Sequence, residues 1–257
     1  MIVTIKPCKL HGAIDAPPSK SMAHRYLIGA ALSTEICTLE GVDYSEDILA
    51  TIDCLKALGT KIIIEDDKVT IDGSGFMQVE NPVLECRESG STLRFLIPLS
   101  LCLGKSVTLR GSQRLFERPL GIYENLCVEK GFTFQKDKDS LNVCGTLEGG
   151  VYELRGDISS QFITGLLFAL IYLGKESEIH IIPPFESRSY VNLTISALKS
   201  FGANVDFVDE YKIKIDNKEL MGQYGLSDAY NFAIKQLERE GSQSAEAMYH
   251  NLNTLES

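Results

Sequence analysis

Three segments of this 257-residue chain can be laid over one another, and nothing else in it restricts the fold so tightly. Each closes a helical stretch in the same way: Leu55-Lys-Ala-Leu-Gly59, Leu126-Cys-Val-Glu-Lys-Gly131 and Leu198-Lys-Ser-Phe-Gly202. The glycines are spaced by 72 and 71 residues, and strand-like residues follow each one. Such a glycine reads as the left-handed stop at a helix C-terminus. An earlier set of helix starts, Ser21, Gly90 and Ser160, keeps nearly the same period, 69 and 70 residues. A sustained period means that one supersecondary unit is used repeatedly.

The unit is a helix, a strand, a second helix and a hairpin. In the first copy these fall at 20–32, 37–40, 45–58 and 61–65/68–71, the hairpin turning at Asp66-Asp67. In the second they fall at 90–103, 106–110, 119–130 and 132–134/141–143. In the third they fall at 159–173, 178–182, 190–201 and 204–208/212–215, with the turn at Asp209-Glu210. The fold predicted is therefore α/β, with a three-repeat domain over 17–217. Residues 2–6 read as a strand that stands apart, so 1–16 form a separate segment. Beyond 217 no fourth copy appears. Residues 229–239 have helical apolar spacing and 242–255 are a weaker helical candidate, which makes 218–257 a helical tail.

The period brings chemistry with it. The three first-helix starts read Ser19-Lys20-Ser21, Glu88-Ser89-Gly90-Ser91-Thr92 and Ser159-Ser160-Gln161, with Arg25 and Arg94 four residues into the first two helices. Serine is an ordinary helix cap. Three-fold symmetry, however, would gather the tips at one end of the domain, where unpaired N–H groups and partial positive charge suit an anion. Lys20, Arg25 and Gln161 go beyond what capping needs. A second basic cluster is Arg110, Arg114 and Arg118, with Pro119 expected in the first turn of the next helix and Arg118 at its start. Phe185-Glu-Ser187-Arg188-Ser189-Tyr190 occupies the corresponding place in the third repeat.

Net charge is −10, which argues against general nucleic-acid affinity and requires any anion site to be a local concentration of basic residues. The longest apolar run, 95–103, is too short to span a bilayer, so no membrane association is expected. The N-terminus lacks a signal-peptide pattern, and cytoplasmic is the expected location. Seven widely spaced cysteines without a CxxC read as free thiols, and four scattered histidines offer no metal constellation.

Five motifs, in order, carry a resemblance: Pro18-Ser19-Lys20-Ser21…Arg25, Glu88-Ser89-Gly90-Ser91-Thr92-Leu93-Arg94, Glu117-Arg118-Pro119-Leu120-Gly121, Gly156-Asp157-Ile158-Ser159-Ser160-Gln161-Phe162 and Ser187…Tyr190. Over residues 1 to about 216 the chain resembles the 5-enolpyruvylshikimate-3-phosphate synthase family, the 3-phosphoshikimate 1-carboxyvinyltransferases. The resemblance implies a three-fold repeat of βαβαββ-type units, half of an inside-out α/β barrel. It implies transfer of the enolpyruvyl group of phosphoenolpyruvate to shikimate 3-phosphate, a step toward chorismate and the aromatic amino acids. It implies that Lys20, Ser21, Arg25, Ser159, Ser160, Gln161, Ser187 and Tyr190 hold shikimate 3-phosphate. It implies also that Lys20, Gly90, Arg118 and Gln161 hold phosphoenolpyruvate. It implies no metal and no organic cofactor.

In that family a second three-fold domain supplies the acid–base carboxylates, a lysine and further arginines, and none of those motifs is recognisable here. The catalytic residues therefore stay unassigned. The strand at 2–6 is expected to belong with that other domain, and the partners expected are the two small molecules and a second chain supplying the missing half. The alternative reading is a catalytically silent phosphoanion-binding domain. A relative acting on a sugar nucleotide in cell-wall synthesis fits less well. Those proteins typically begin with Lys-Asn and carry a loop cysteine, where this chain has Lys20-Ser21 and a cysteine-free 110–118.

Overall fold

The computed structural model describes residues 18–216. The strand expected at 2–6 and the helical tail expected over 218–257 lie outside the described residues. The first repeat contains α1 (Lys20–Leu32), β1 (Cys37–Leu39), α2 (Glu46–Ala57), β2 (Lys61–Glu65) and β3 (Lys68–Asp72). The second contains β4 (Val83–Glu85), α3 (Gly90–Leu101), β5 (Val107–Arg110), α4 (Gln113–Phe116), α5 (Gly121–Lys130), β6 (Thr133–Lys136) and β7 (Ser140–Cys144). The third contains β8 (Val151–Arg155), α6 (Ser160–Leu173), β9 (Ser177–Ile182), α7 (Arg188–Ser200), β10 (Val205–Phe207) and β11 (Lys212–Ile215).

Every helix, strand and hairpin expected of the three repeats over these residues is present, with ends shifted by a few residues. Gly59, Gly131 and Gly202 all have positive φ, at 100°, 70° and 86°, which is why glycine recurs at those stops. The structure adds four elements, one of them a 3-10 turn at Gly73–Gly75 after β3. β4 and β8 open the second and third repeats and pair in parallel with β5 and β9, and α4 is a single capped turn before Arg118. One expectation is corrected. Pro119 is not in the first turn of α5, because Leu120 is the N-cap and the helix begins at Gly121. The Arg118 N–H instead closes on the Leu115 carbonyl at 3.3 Å, so Arg118 belongs to the end of the α4 turn.

Each repeat forms its own sheet. The second has the order β4-β5-β7-β6 and the third β8-β9-β11-β10, while the first has β1-β3-β2 among the described residues. All other strand pairs are antiparallel. Burial alternates along β8, where Tyr152 and Leu154 face inward and Val151, Glu153 and Arg155 outward. A sheet with one wet face and one packed face belongs on the outside of a domain. The first helices take the inside. α6 buries eleven of its fourteen residues and α3 ten of its twelve, as expected for helices apolar on nearly every face. Gly165 lets α6 approach α3 closely, since a Cβ there would lie 2.4 Å from both the Arg94 carbonyl and the Tyr123 hydroxyl.

The repeats are tied together by one position used three times. Thr51, Tyr123 and Thr194 each lie eight residues before the glycine that ends the second helix. Thr51 Oγ1 is 2.7 Å from His24 Nδ1 on α1 and 2.7 Å from Thr92 Oγ1 on α3. The Tyr123 hydroxyl lies 2.9 Å from each of the Arg94 carbonyl on α3 and the Phe162 carbonyl on α6. Thr194 Oγ1 is 2.8 Å from Thr164 Oγ1 on α6 and accepts from Arg25 Nε on α1 at 2.8 Å. Each second helix thus pins the first helix of its own repeat to the first helix of the next, and the third link returns to α1. The domain is a closed ring with its helix starts on one end.

Candidate functional site

That end is where the residues singled out by sequence are found. Ser19, Ser89 and Ser159 cap α1, α3 and α6, each hydroxyl accepting a backbone N–H from the first turn. Lys20 opens α1 and pairs with Asp47 of α2 at 2.5 Å. The Asp47 carbonyl also lies 3.4 Å from Thr92 Oγ1, so the starts of α1, α2 and α3 meet around it. The starts of α3 and α6 meet through Gln161, whose Nε2 donates to Ser91 Oγ at 2.9 Å and whose Oε1 accepts from Arg94 Nη1 at 2.6 Å. Arginine can only donate, which fixes the orientation of the Gln161 amide. The starts of α1 and α7 meet through Arg25, whose Nη1 donates to the Ser21 carbonyl at 2.6 Å and Nη2 to the Tyr190 carbonyl at 3.1 Å.

The cations of this end differ in how they are held. Lys20 is half exposed and paired with Asp47. Arg25 is 3% exposed, lies 5.5 Å over the Phe95 ring, and burial lowers its pKa to about 10, so it stays charged at neutral pH. Arg94 sits over the Phe162 ring at 5.1 Å, and its pKa is depressed by burial and by the charge of Arg118. Arg118 is exposed and rests on Gly90, where a Cβ would lie 2.4 Å from its Nη1. A side chain at this position would push the guanidinium aside, so glycine at the start of α3 leaves Arg118 room at the helix tip. Three arginines and a lysine near helix N-termini make a positive site on an otherwise acidic protein.

The remaining predicted residues are placed as follows. Ser160 is buried in the first turn of α6, and Ser187 precedes α7 without a side-chain capping bond. Tyr190 is 49% exposed, its ring outside the core while its carbonyl holds Arg25. Two basic residues read from the sequence are engaged elsewhere. Arg110 faces Glu85 at 3.9 Å, and Arg188 lies 4.2 Å over Phe207 while donating to the Glu210 carbonyl. Sequence reasoning left Arg94 and Asp47 out of its site residues. The period marked Arg94 as the counterpart of Arg25, but Asp47 looked like any acid in a first helical turn. His24 is buried beside them. Its Nδ1 meets Thr51, its Nε2 lacks a hydrogen-bond partner, and burial lowers its pKa to about 4. Among the described residues no His, Cys, Asp or Glu group is arranged to hold a metal ion, and no helix is long and apolar enough to cross a membrane.

Known proteins are similar to this chain in sequence and in fold. The chain is 45% identical over 206 residues to a 3-phosphoshikimate 1-carboxyvinyltransferase of Clostridium kluyveri, covering 79% of this chain and 48% of that protein. It is 39% identical over 242 residues to one of Clostridium novyi, covering 89% and 56%. The chain thus spans about half the length of the curated relatives it matches. In fold it is similar to an EPSP synthase from Acinetobacter baumannii, with a TM-score of 0.67 at 24% identity over 84% of this chain and 48% of that one. It is similar also to the enolpyruvyl transferase NikO from Streptomyces tendae, with a TM-score of 0.61 at 14% identity over 83% and 50%. The family model of EPSP synthase (3-phosphoshikimate 1-carboxyvinyltransferase) matches residues 5–226, and the chain belongs to that family.

Proposed function

We propose that this chain provides the shikimate 3-phosphate-binding half of an enolpyruvyl transfer reaction. Shikimate 3-phosphate would be held by Lys20, Ser21, Arg25, Ser159, Ser160, Gln161, Ser187 and Tyr190. Phosphoenolpyruvate would be held by Lys20, Gly90, Arg118 and Gln161. The observation that carries this reading is the meeting of the α1, α3 and α6 starts around Lys20, Gln161 and Arg118. Two anions repel one another in water. Clustered cations and helix N-termini offset that repulsion and hold the reactants in one orientation. In the family's reaction the 5-hydroxyl of shikimate 3-phosphate adds to the enol carbon as the methylene is protonated, and phosphate leaves the tetrahedral adduct. The reading assigns the groups described here to binding and neutralisation and leaves the proton-carrying groups unassigned. Residues 17–217 would form the binding domain, with 1–16 and 218–257 outside it.

Coverage of about half of each relative favours a second reading, in which this chain binds the phosphoanion and does not turn it over alone. One experiment treats both. Shikimate 3-phosphate is titrated into the purified chain, and phosphate release is followed after phosphoenolpyruvate is added, with and without the C-terminal half of the Clostridium kluyveri relative as a second chain. Binding is expected in both arms and release only with the second chain. Lys20→Ala and Arg25→Ala are each expected to weaken binding by ~1.5–3 kcal/mol, the range for a hydrogen bond to a charged group. Unchanged affinity in both variants would place the anion elsewhere.

A further inference from the structure

We propose that Thr194, the hydroxyl that joins the third repeat to the first, is a positioning residue that fixes the direction of the Arg25 guanidinium. The inference rests on the functional reading above for what Arg25 binds, and on geometry alone for how Arg25 is held.

The Thr194 hydroxyl is fully buried and has three neighbours: Arg25 Nε at 2.8 Å, Thr164 Oγ1 at 2.8 Å and the Tyr190 carbonyl at 3.1 Å. A threonine hydroxyl offers one proton and two lone pairs. Arg25 takes a lone pair, because it can only donate. The Tyr190 carbonyl takes the proton, because it can only accept. Thr164 then donates to the second lone pair. All three positions are filled, and the arrangement has one solution. The Tyr190 carbonyl also accepts from Arg25 Nη2, so Arg25, Thr194 and Tyr190 close a triangle whose third corner is the start of α7.

Three of the five guanidinium N–H donors are used in these bonds and in the one to the Ser21 carbonyl. One N–H on each terminal nitrogen lies outside them. A pair of N–H groups on adjacent nitrogens is the fork that grips a carboxylate or phosphate in two places, and its value depends on direction. At the other two seams the equivalent hydroxyls, Thr51 and Tyr123, meet a histidine, a threonine and backbone carbonyls. Only at Thr194, among the three, has the fold placed a charged side chain on the pin.

The test uses the whole chain and Thr194→Val, which keeps the shape and removes the hydroxyl. Thr194→Ser is the conservative rescue, and Tyr123→Phe is the matching change at a seam without a charged partner. Shikimate 3-phosphate affinity is expected to fall roughly tenfold or more in T194V, in line with a lost charged hydrogen bond, to recover in T194S and to be unchanged in Y123F. Thermal unfolding of T194V, Arg25→Gln and the double variant supplies a readout without ligand. The two changes are expected to be non-additive by about threefold or more in the unfolding equilibrium. Additive effects would overturn the strut, as would equal loss of affinity in T194V and Y123F. Coupled unfolding in a wild-type chain that binds no shikimate 3-phosphate would leave the strut standing and overturn the functional reading. Should T194V not fold, Thr194→Cys, a weak acceptor of similar size, carries the same comparison.

Discussion

The seam between the first and second repeats and the seam between the second and third follow one plan and solve different problems. At the first, Thr51 links His24 to Thr92 in a chain of side-chain hydroxyls and an imidazole. At the second, Tyr123 reaches past the side chains to two backbone carbonyls. The reason lies in α3, which carries Pro98 in its interior. Proline has no N–H, so the carbonyl four residues back, that of Arg94, loses its helical donor. The Tyr123 hydroxyl replaces it. The comparison teaches that a repeated position keeps its place in the ring while its partners differ from seam to seam, joining side chains at Thr51 and serving a carbonyl freed by proline at Tyr123.

The largest expected effect separates the two seams by acidity. Burial holds His24 at about 4, against 6.5 for a free imidazole, with Asp47 opposing and Arg25 and Lys20 reinforcing the shift. The unfolded chain takes up this proton as pH falls through about 6.5, and the folded protein only near pH 4. This group's stability contribution is therefore flat above about 6.5 and is lost as pH falls toward 4, by ~3 kcal/mol in all. Chemical denaturation between pH 7 and 4 measures it. His24→Asn should shed this part of the acid sensitivity, and an identical pH profile in the variant would show that His24 does not set it.

Next in size is Gly165→Ala, which drives a methyl group into the Arg94 carbonyl and the Tyr123 hydroxyl. Overpacking of this kind costs ~1–3 kcal/mol, and the melting temperature should drop by several degrees. Tyr123→Phe should cost about 1–2 kcal/mol by leaving the buried Arg94 carbonyl without a donor. Because Pro98 creates that need, Pro98→Ala should offset part of the loss. A double variant as unstable as the sum of the two single changes would break the link between the proline and the tyrosine. The smallest effect belongs to the rim. Asp47→Asn removes an ion pair whose lysine is half exposed, and should change stability by less than about 1 kcal/mol, while an increased affinity for an anion would be read by titration.

Much of the domain was legible in the chain because its signals are local. Helices from Lys20, Gly90 and Ser160 announce themselves by serine caps and apolar runs, and the glycines at 59, 131 and 202 mark second-helix ends. What escaped was short or overridden by its neighbours, apart from β8, whose alternation over 151–155 is a local signal. β4 is three residues long after Pro82, too short for alternation to register, and it exists because β5 pairs with it. Pro119 suggested a helix start that the preceding turn at 113–116 displaced by two residues. The site divided in the same way. Lys20, Ser21, Gly90, Arg118 and Gln161 stand in recognisable motifs, whereas Arg94 became a partner of Gln161 only when α3 and α6 came together.

The sequence by itself determined the repeat, the alternation of helix and strand, and the chemical character of the helix starts, since period, capping and charge are properties of neighbours along a chain. The tertiary structure decided which groups face one another: that Arg25 is buried against Thr194, that Tyr123 serves a carbonyl freed by a proline, and that Arg118 lies on Gly90. Those contacts join residues up to 169 positions apart, and hydrogen bonds and close packing act over a few ångströms of space whatever the distance along the chain.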